Sequence, residues 1–92
     1  MKKNVDELQT IPGIGKSLAL DLRLVGVHKV ADLKGIDPEQ LYHKLEKIKG
    51  VHQDRCVLYT FRCAVYFASK KQHDPQLLNW WMWSDANLRK KT

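Results

Sequence analysis

Apolar residues along this chain fall at helical spacing almost throughout, and glycine or proline punctuates the runs. Leu8 and Ile11, at i and i+3, predict a short helix over Val5 to Thr10 that turns them inward. Leu18, Ala19, Leu22 and Val25 form the next stripe, a helix from Lys16 to Leu24 that stops at Gly26. A brief third helix is expected around Val30 to Lys34, ending at Gly35. Asp37-Pro38-Glu39-Gln40 reads as a helix start, with an N-cap carboxylate, proline at the first helical position and glutamine at the third. That fourth helix runs to about Ile48, with Leu41, Leu45 and Ile48 inside. The fifth, Asp54 to Lys70, is the longest and most apolar; Val57, Leu58, Phe61, Ala64, Val65 and Ala68 give it a wide face for the centre of the core. Lys70 to His73 link it to a second Asp-Pro start, Asp74-Pro75, which opens a last helix from Gln76 to about Trp83. Ser84 onward reads as a fraying tail. The pattern is all-α: about six helices in one domain over residues 4–85, with flexible basic tails at 1–3 and 86–92.

The first two helices meet at Ile11-Pro12-Gly13-Ile14-Gly15-Lys16. Proline disfavours helical geometry at the residue before it, so the first helix should stop at Ile11. Gly13 and Gly15 then allow backbone angles and close approaches that a Cβ would block. The first amides of the following helix have no intrahelical partner, and such a terminus suits an anion. The second half of the chain repeats the first at an offset of 37 residues: Leu8 maps to Leu45, Ile11 to Ile48, Gly13 to Gly50, Ile14 to Val51, Ala19 to Cys56 and Leu22 to Tyr59. Two copies of one helix-turn-helix unit are therefore expected, packed on each other, with His52 in the second turn where the first has Gly15.

Charge changes this picture less than the total suggests. The formal net charge is +6, but Lys2, Lys3, Arg89, Lys90 and Lys91 lie in the two tails; without them 11 basic residues face 10 acidic ones. A phosphate-binding face must then come from local placement and backbone amides, because the field of the folded middle is weak. At 92 residues, 43% hydrophobic and 28% charged, the composition is that of an ordinary globular domain. No apolar run approaches the roughly 20 residues of a membrane span, so a cytoplasmic protein without a membrane partner is expected. Cys56 and Cys63 are seven apart on one helix, about 10.5 Å, beyond the roughly 7 Å Cα separation that a disulfide bridges.

The pattern Leu8-x-x-Ile11-Pro12-Gly13-Ile14-Gly15-x-x-x-Ala19-x-x-Leu22 resembles the helix-hairpin-helix motif of DNA-binding proteins. Over roughly Val5 to Asp85 the chain resembles the small bacterial helix-hairpin-helix family labelled "pathogenicity locus" and, in some members, "mitomycin resistance". That likeness rests on the hairpin and on Val30-Ala31-Asp32-Leu33, Asp37 to Tyr42, Cys56-Val57, Ala64 to Ala68 and Leu78-Asn79-Trp80-Trp81-Met82-Trp83. It implies a tandem helix-hairpin-helix fold and sequence-independent contact with the DNA backbone. The matching positions are Gly13, Ile14, Gly15 and Lys16, with Ser17 either adding a hydroxyl or standing as a plain surface residue. Lys49 and Gly50 are their counterparts in a degenerate second hairpin. Similar hairpins also hold a monovalent cation through their carbonyls.

The remaining candidates are weighed on their residues. Lys44, Lys47, Lys49 and Arg55 could supply side-chain charge at the second turn, although Glu46 and Asp54 dilute them and a solvated helix face explains them equally. Trp80, Trp81 and Trp83 could stack on bases, but Leu77, Leu78, Trp81 and Met82 also fit a helix laid over a small core with Trp81 buried. Trp80 and Trp83 are then the candidate surface for a protein partner or for self-association. His52 and Cys56, at i and i+4, lack further ligands for a structural zinc. No serine elbow, Walker loop or His-Glu-x-x-His occurs, so the chain is expected to be a binding module and not an enzyme. Sequence-independent DNA binding, in repair or damage tolerance, is the leading expectation. The alternative is a protein-interaction module that keeps the fold without the DNA.

Overall fold

The computed structural model of the chain describes residues 7–90. Its order is a 3₁₀ turn at Glu7–Thr10, α1 (Lys16–Leu24), a 3₁₀ turn at Val30–Leu33, α2 (Pro38–Lys49), α3 (Arg55–Ser69), 3₁₀ turns at Pro75–Leu78 and Trp80–Trp83, and α4 (Asp85–Lys90). Among the described residues there is no strand, and no helix is long and apolar enough to cross a membrane. Tail residues 1–3 and 91–92, and Val5 and Asp6 of the expected first helix, lie outside the described residues.

Local chemistry accounts for the elements that form as read. Asp37 accepts the Glu39 amide at 2.9 Å with Pro38 at the first helical position, and Gly50 closes α2 in the left-handed region at φ +73°. α3 is the hub, packing against α2, the Val30–Leu33 turn and the Trp80–Trp83 turn. Leu8, Ile11, Ile14, Leu22, Leu33, Leu45, Leu58 and Phe61 are buried together. Each such side chain contributes about 1.5 to 3 kcal/mol relative to exposure.

The expected count of about six helices needs correction, because three of them are 3₁₀ turns and the C-terminal tail is partly helical. At Glu7–Thr10 only one turn fits before Pro12, and it ends with the Ile11 amide on the Leu8 carbonyl at 3.2 Å. The expected helix over 76–83 is broken at Asn79, which is extended at ψ 120°. The Leu77 carbonyl, which in an α-helix would accept the Trp81 amide, accepts the Trp83 indole N–H at 2.8 Å instead. Beyond it, Ser84 Oγ accepts the Asn87 amide at 3.2 Å and Asp85 stands in the first turn, so α4 forms where a tail was read.

The 37-residue repeat holds in part. Gly13 and Gly50 both have positive φ, +86° and +73°, and Leu8 and Leu45 are both buried. Ile48 and Val51, expected to match the buried Ile11 and Ile14, are 47% and 60% exposed. Cys56 is likewise exposed where Ala19 is buried. Lys49 stands where the first unit has Pro12, so α2 continues through it and carries Ile48 around the helix, out of the core.

Ile11→Ala should therefore cost about 2 to 5 kcal/mol in urea unfolding, whereas Ile48→Ala should cost about 0.5 kcal/mol or less. Equal losses would show that Ile48 belongs to the core.

Candidate functional site

Of the two glycines in the first turn, only Gly13 needs its conformational freedom. Gly13 is left-handed at φ +86°, and a Cβ built there would lie 3.3 Å from Thr60 Cγ2 and 3.5 Å from Trp80 Cδ1. Gly15 has ordinary extended angles, φ −93° and ψ −168°, and nothing lies within 4 Å of a Cβ built on it. The expected need for glycine geometry at Gly15 is therefore absent; its contribution is open space above the start of α1.

Ile14 closes the turn, donating its amide to the Ile11 carbonyl at 3.1 Å while its side chain enters the core. Ile14 is thus a structural residue, without the free amide expected of it. The next amides, of Gly15, Lys16 and Ser17, have no acceptor among the described residues, and no side chain caps the helix. The Gly15 carbonyl accepts the first helical bond, from Ala19 at 2.9 Å. Lys16 and Ser17 are exposed, and none of the ion pairs among the described residues uses Lys16. Gly15, Lys16 and Ser17 therefore present open amides and a lysine together at the exposed start of α1.

The second turn is chemically occupied. Gly50 donates its amide to the Glu46 carbonyl at 2.8 Å. Lys49 Nζ lies 3.1 Å from Asp21 Oδ1, and that carboxylate is 9% exposed, so Lys49 ties α2 to α1. Glu46 accepts the Gln53 amide at 2.9 Å and pairs with His43 and His52; the Gln53 bond, ahead of the two imidazoles, holds its carboxyl below the usual range. Arg55 is held by Asp85 at 2.6 Å. Lys49 and Gly50, read as phosphate contacts, are thus already partnered within the fold.

The tryptophans are arranged differently from their sequence reading. Trp80 and Trp83, expected to form a partner surface, are half-buried: Trp80 sits on Gly13, and Trp83 packs against Tyr66 with ring centroids 5.3 Å apart. Trp81, expected in the core, is 52% exposed. The break at Asn79 resets the helical phase and turns it outward.

Two polar clusters escaped sequence reasoning. Asp21 is buried on α1, and the repeat aligns it with the fully buried Leu58, which was a signal for its position. Arg62 is 11% exposed and donates to Asp85 at 3.0 Å, Glu39 at 3.3 Å and the Trp83 carbonyl at 2.8 Å. It forms one wall of an apolar groove of about 340 Å³ beside Val65, Tyr66, Trp83 and Leu88. The polar groups of that groove are spent on the fold, since Tyr66 and Ser69 accept the Asp74 and Gly35 amides. Cys56 and Cys63 are free thiols, and burial pushes Cys63 up to about 11. Among the described residues no group of three or more His, Cys, Asp or Glu side chains gathers as metal ligands.

Comparison with known proteins places the chain. The family described as Cdd1, pathogenicity locus, matches residues 1–90, and the chain belongs to that family. It is similar to the mitomycin resistance protein McrB of Streptomyces lavendulae, 29% identical over 83 residues that cover 90% of this chain and 75% of that protein. No solved structure matches it.

Asp85 gives the fold a pH signature. Its hydrogen bond to Arg55, and then that to Arg62, holds its carboxyl below the ordinary value of 3.8. A depressed carboxylate stabilises the folded state above its unfolded value and stops doing so as pH falls through its folded value. Acidification below about 3.8 should therefore loosen α4, read as a change in Trp83 fluorescence, and Asp85→Asn should abolish that step while leaving the protein less stable at neutral pH.

Proposed function

We propose that this member of the pathogenicity-locus family is a non-catalytic module that binds DNA without regard to sequence, gripping a backbone phosphate at the start of α1. The observation that supports this reading is the set of amides at Gly15, Lys16 and Ser17 behind a left-handed glycine turn, which meet no acceptor among the described residues, with Lys16 beside them in no ion pair among those residues. A lysine in the first turn of a helix opposes the helix dipole by about 0.3 to 1 kcal/mol, and a bound phosphate reverses that sign. The arrangement carries no base-reading side chain, and phosphate contacts position a protein on DNA without selecting sequence.

In this reading the fold is a tandem helix-hairpin-helix whose second unit has become structural. The first hairpin retains open amides, whereas the second spends its amide, its lysine and its arginine on α2, α1 and α4. The basic residues at the two ends of the chain add sequence-independent attraction. A role in DNA repair or damage tolerance is in keeping with the resistance named in the Streptomyces relative. A second reading, a protein-interaction module, draws on the exposed Leu20, Leu24, Ile48, Val51 and Trp81.

Fluorescence anisotropy with labelled DNA across a salt series separates the two. The intact protein should bind with an affinity that falls as salt rises, and Lys16→Glu should weaken binding about tenfold or more and flatten the salt slope by about one unit. Absence of binding at low salt by the intact protein would overturn the DNA reading.

A further inference from the structure

The second turn spends its amide, lysine and arginine on the fold, yet it keeps two exposed imidazoles gathered on one carboxylate. Glu46 Oε1 lies 3.3 Å from His43 Nδ1, and Glu46 Oε2 lies 2.5 Å from His52 Nδ1 while also accepting the Gln53 amide at 2.9 Å. The Gln53 carbonyl accepts the Tyr42 hydroxyl, so this residue is tied to α2 through both its amide and its carbonyl. The two rings are thereby oriented by a carboxylate that the fold itself holds in place.

Those contacts decide what each ring can offer a ligand. An ionised carboxylate only accepts, so the Nδ1 of each neutral ring carries the proton and its Nε2 presents a lone pair. Neither Nε2 has a hydrogen-bond partner among the described residues. A lone pair repels a phosphate oxygen, whereas protonation puts an N–H at the same position and a positive charge on the ring. Glu46 stays ionised while imidazoles titrate, because the Gln53 amide, and then the two rings, hold its carboxyl below the usual range.

The surrounding charges are nearly balanced, so this step is large for the turn. Lys49 is paired with Asp21 of α1, and Arg55 of α3, which lies over the Tyr42 ring at 5.9 Å, is paired with Asp85. Of the other charges nearby in the chain, Lys44 and Lys47 of α2 are offset by Glu46 and by Asp54, which precedes α3. The turn is therefore close to neutral with neutral imidazoles and gains two positive charges when both are protonated. Histidine is the side chain that ordinarily changes charge between about pH 5 and 8.

We infer that the second turn is a pH-dependent phosphate contact: with His43 and His52 protonated it attracts the DNA backbone, and with both rings neutral it does not. This inference rests on the DNA-binding reading and adds regulation to it. No part of the fold has to move for the step, since neutral and charged rings alike donate Nδ1–H to Glu46.

The test measures anisotropy of a labelled blunt DNA duplex with the full chain, over a salt series at about pH 7.5 and about pH 5.5. Asp85 stays ionised at both values, so α4 is unaffected. Affinity should rise about tenfold or more on acidification, and the slope of log affinity against log salt should steepen by about one to two units. The double variant His43→Gln/His52→Gln should lose most of that rise while binding within about twofold of the intact protein at the higher pH, the remainder of the rise coming from His28 and His73. His52→Lys, with a fixed charge, should bind about threefold or more tightly than the intact protein at the higher pH. Lys16→Glu should bind more weakly at both pH values and keep the rise. Circular dichroism should show all variants equally helical. Affinity that is the same at both pH values, or a rise that persists in full in the double variant, would overturn the pH-dependent contact and leave the phosphate grip at α1 standing. Binding of no DNA by the intact protein at either pH would overturn both.

Discussion

The turn at Gly13 is left-handed at φ +86° and packs closely against Thr60 and Trp80, so a side chain there would be strained, and the path of the chain into α1 depends on that backbone conformation. Its left-handed backbone swings the chain from the Glu7–Thr10 turn into α1 while Ile11 and Ile14, on either side, enter the core. The bare Cα lets Thr60 of α3 and Trp80 close over the turn. A single missing Cβ thereby joins three parts of the molecule that are far apart in sequence.

The two turns show how one pattern can be put to two physical uses. In the first, proline stops the preceding turn, the apolar residues go inward, and the amides that follow meet no acceptor among the described residues. In the second, lysine replaces that proline, α2 continues, and the polar groups close on one another through Asp21–Lys49 and the Glu46 cluster. A buried carboxylate such as Asp21 requires a partner, since leaving it unpaired costs more than the pair returns. Lys49 is thereby committed to joining α1 and α2. Arg55 and Arg62 are committed to the C-terminal segment in the same way, through Asp85.

Much of this architecture was legible in the sequence because its signals are local. Asp37-Pro38 and Gly50 bracket α2, the apolar stripe of α3 marks the core, and Pro12-Gly13 marks the turn. Where the signals are nonlocal, reading failed. Periodicity carries Trp81 into the core because it assumes an unbroken helix, and the break at Asn79 is accompanied by the Trp83 indole's reach to the Leu77 carbonyl. The exposure of Ile48 depends on the difference between Pro12 and Lys49, which an alignment by apolar positions overlooks. Of the candidate site, the cluster Gly15, Lys16 and Ser17 was visible as a helix start after glycine, whereas the Asp21 and Asp85 pairings depend on contacts between distant elements that no spacing encodes.

Phosphate binding by the open amides at the start of α1 is tested most directly by Gly15→Asp. The position has ordinary backbone angles and free space, so the aspartate fits; as N-cap its carboxylate accepts the Ser17 or Leu18 amide and places a negative charge where a phosphate would sit. DNA affinity and stability, measured together on this variant, should move in opposite directions: unfolding resistance unchanged or raised by a few tenths of a kcal/mol, and DNA binding reduced about tenfold or more. A folded Gly15→Asp protein that binds DNA as tightly as the original would contradict the account.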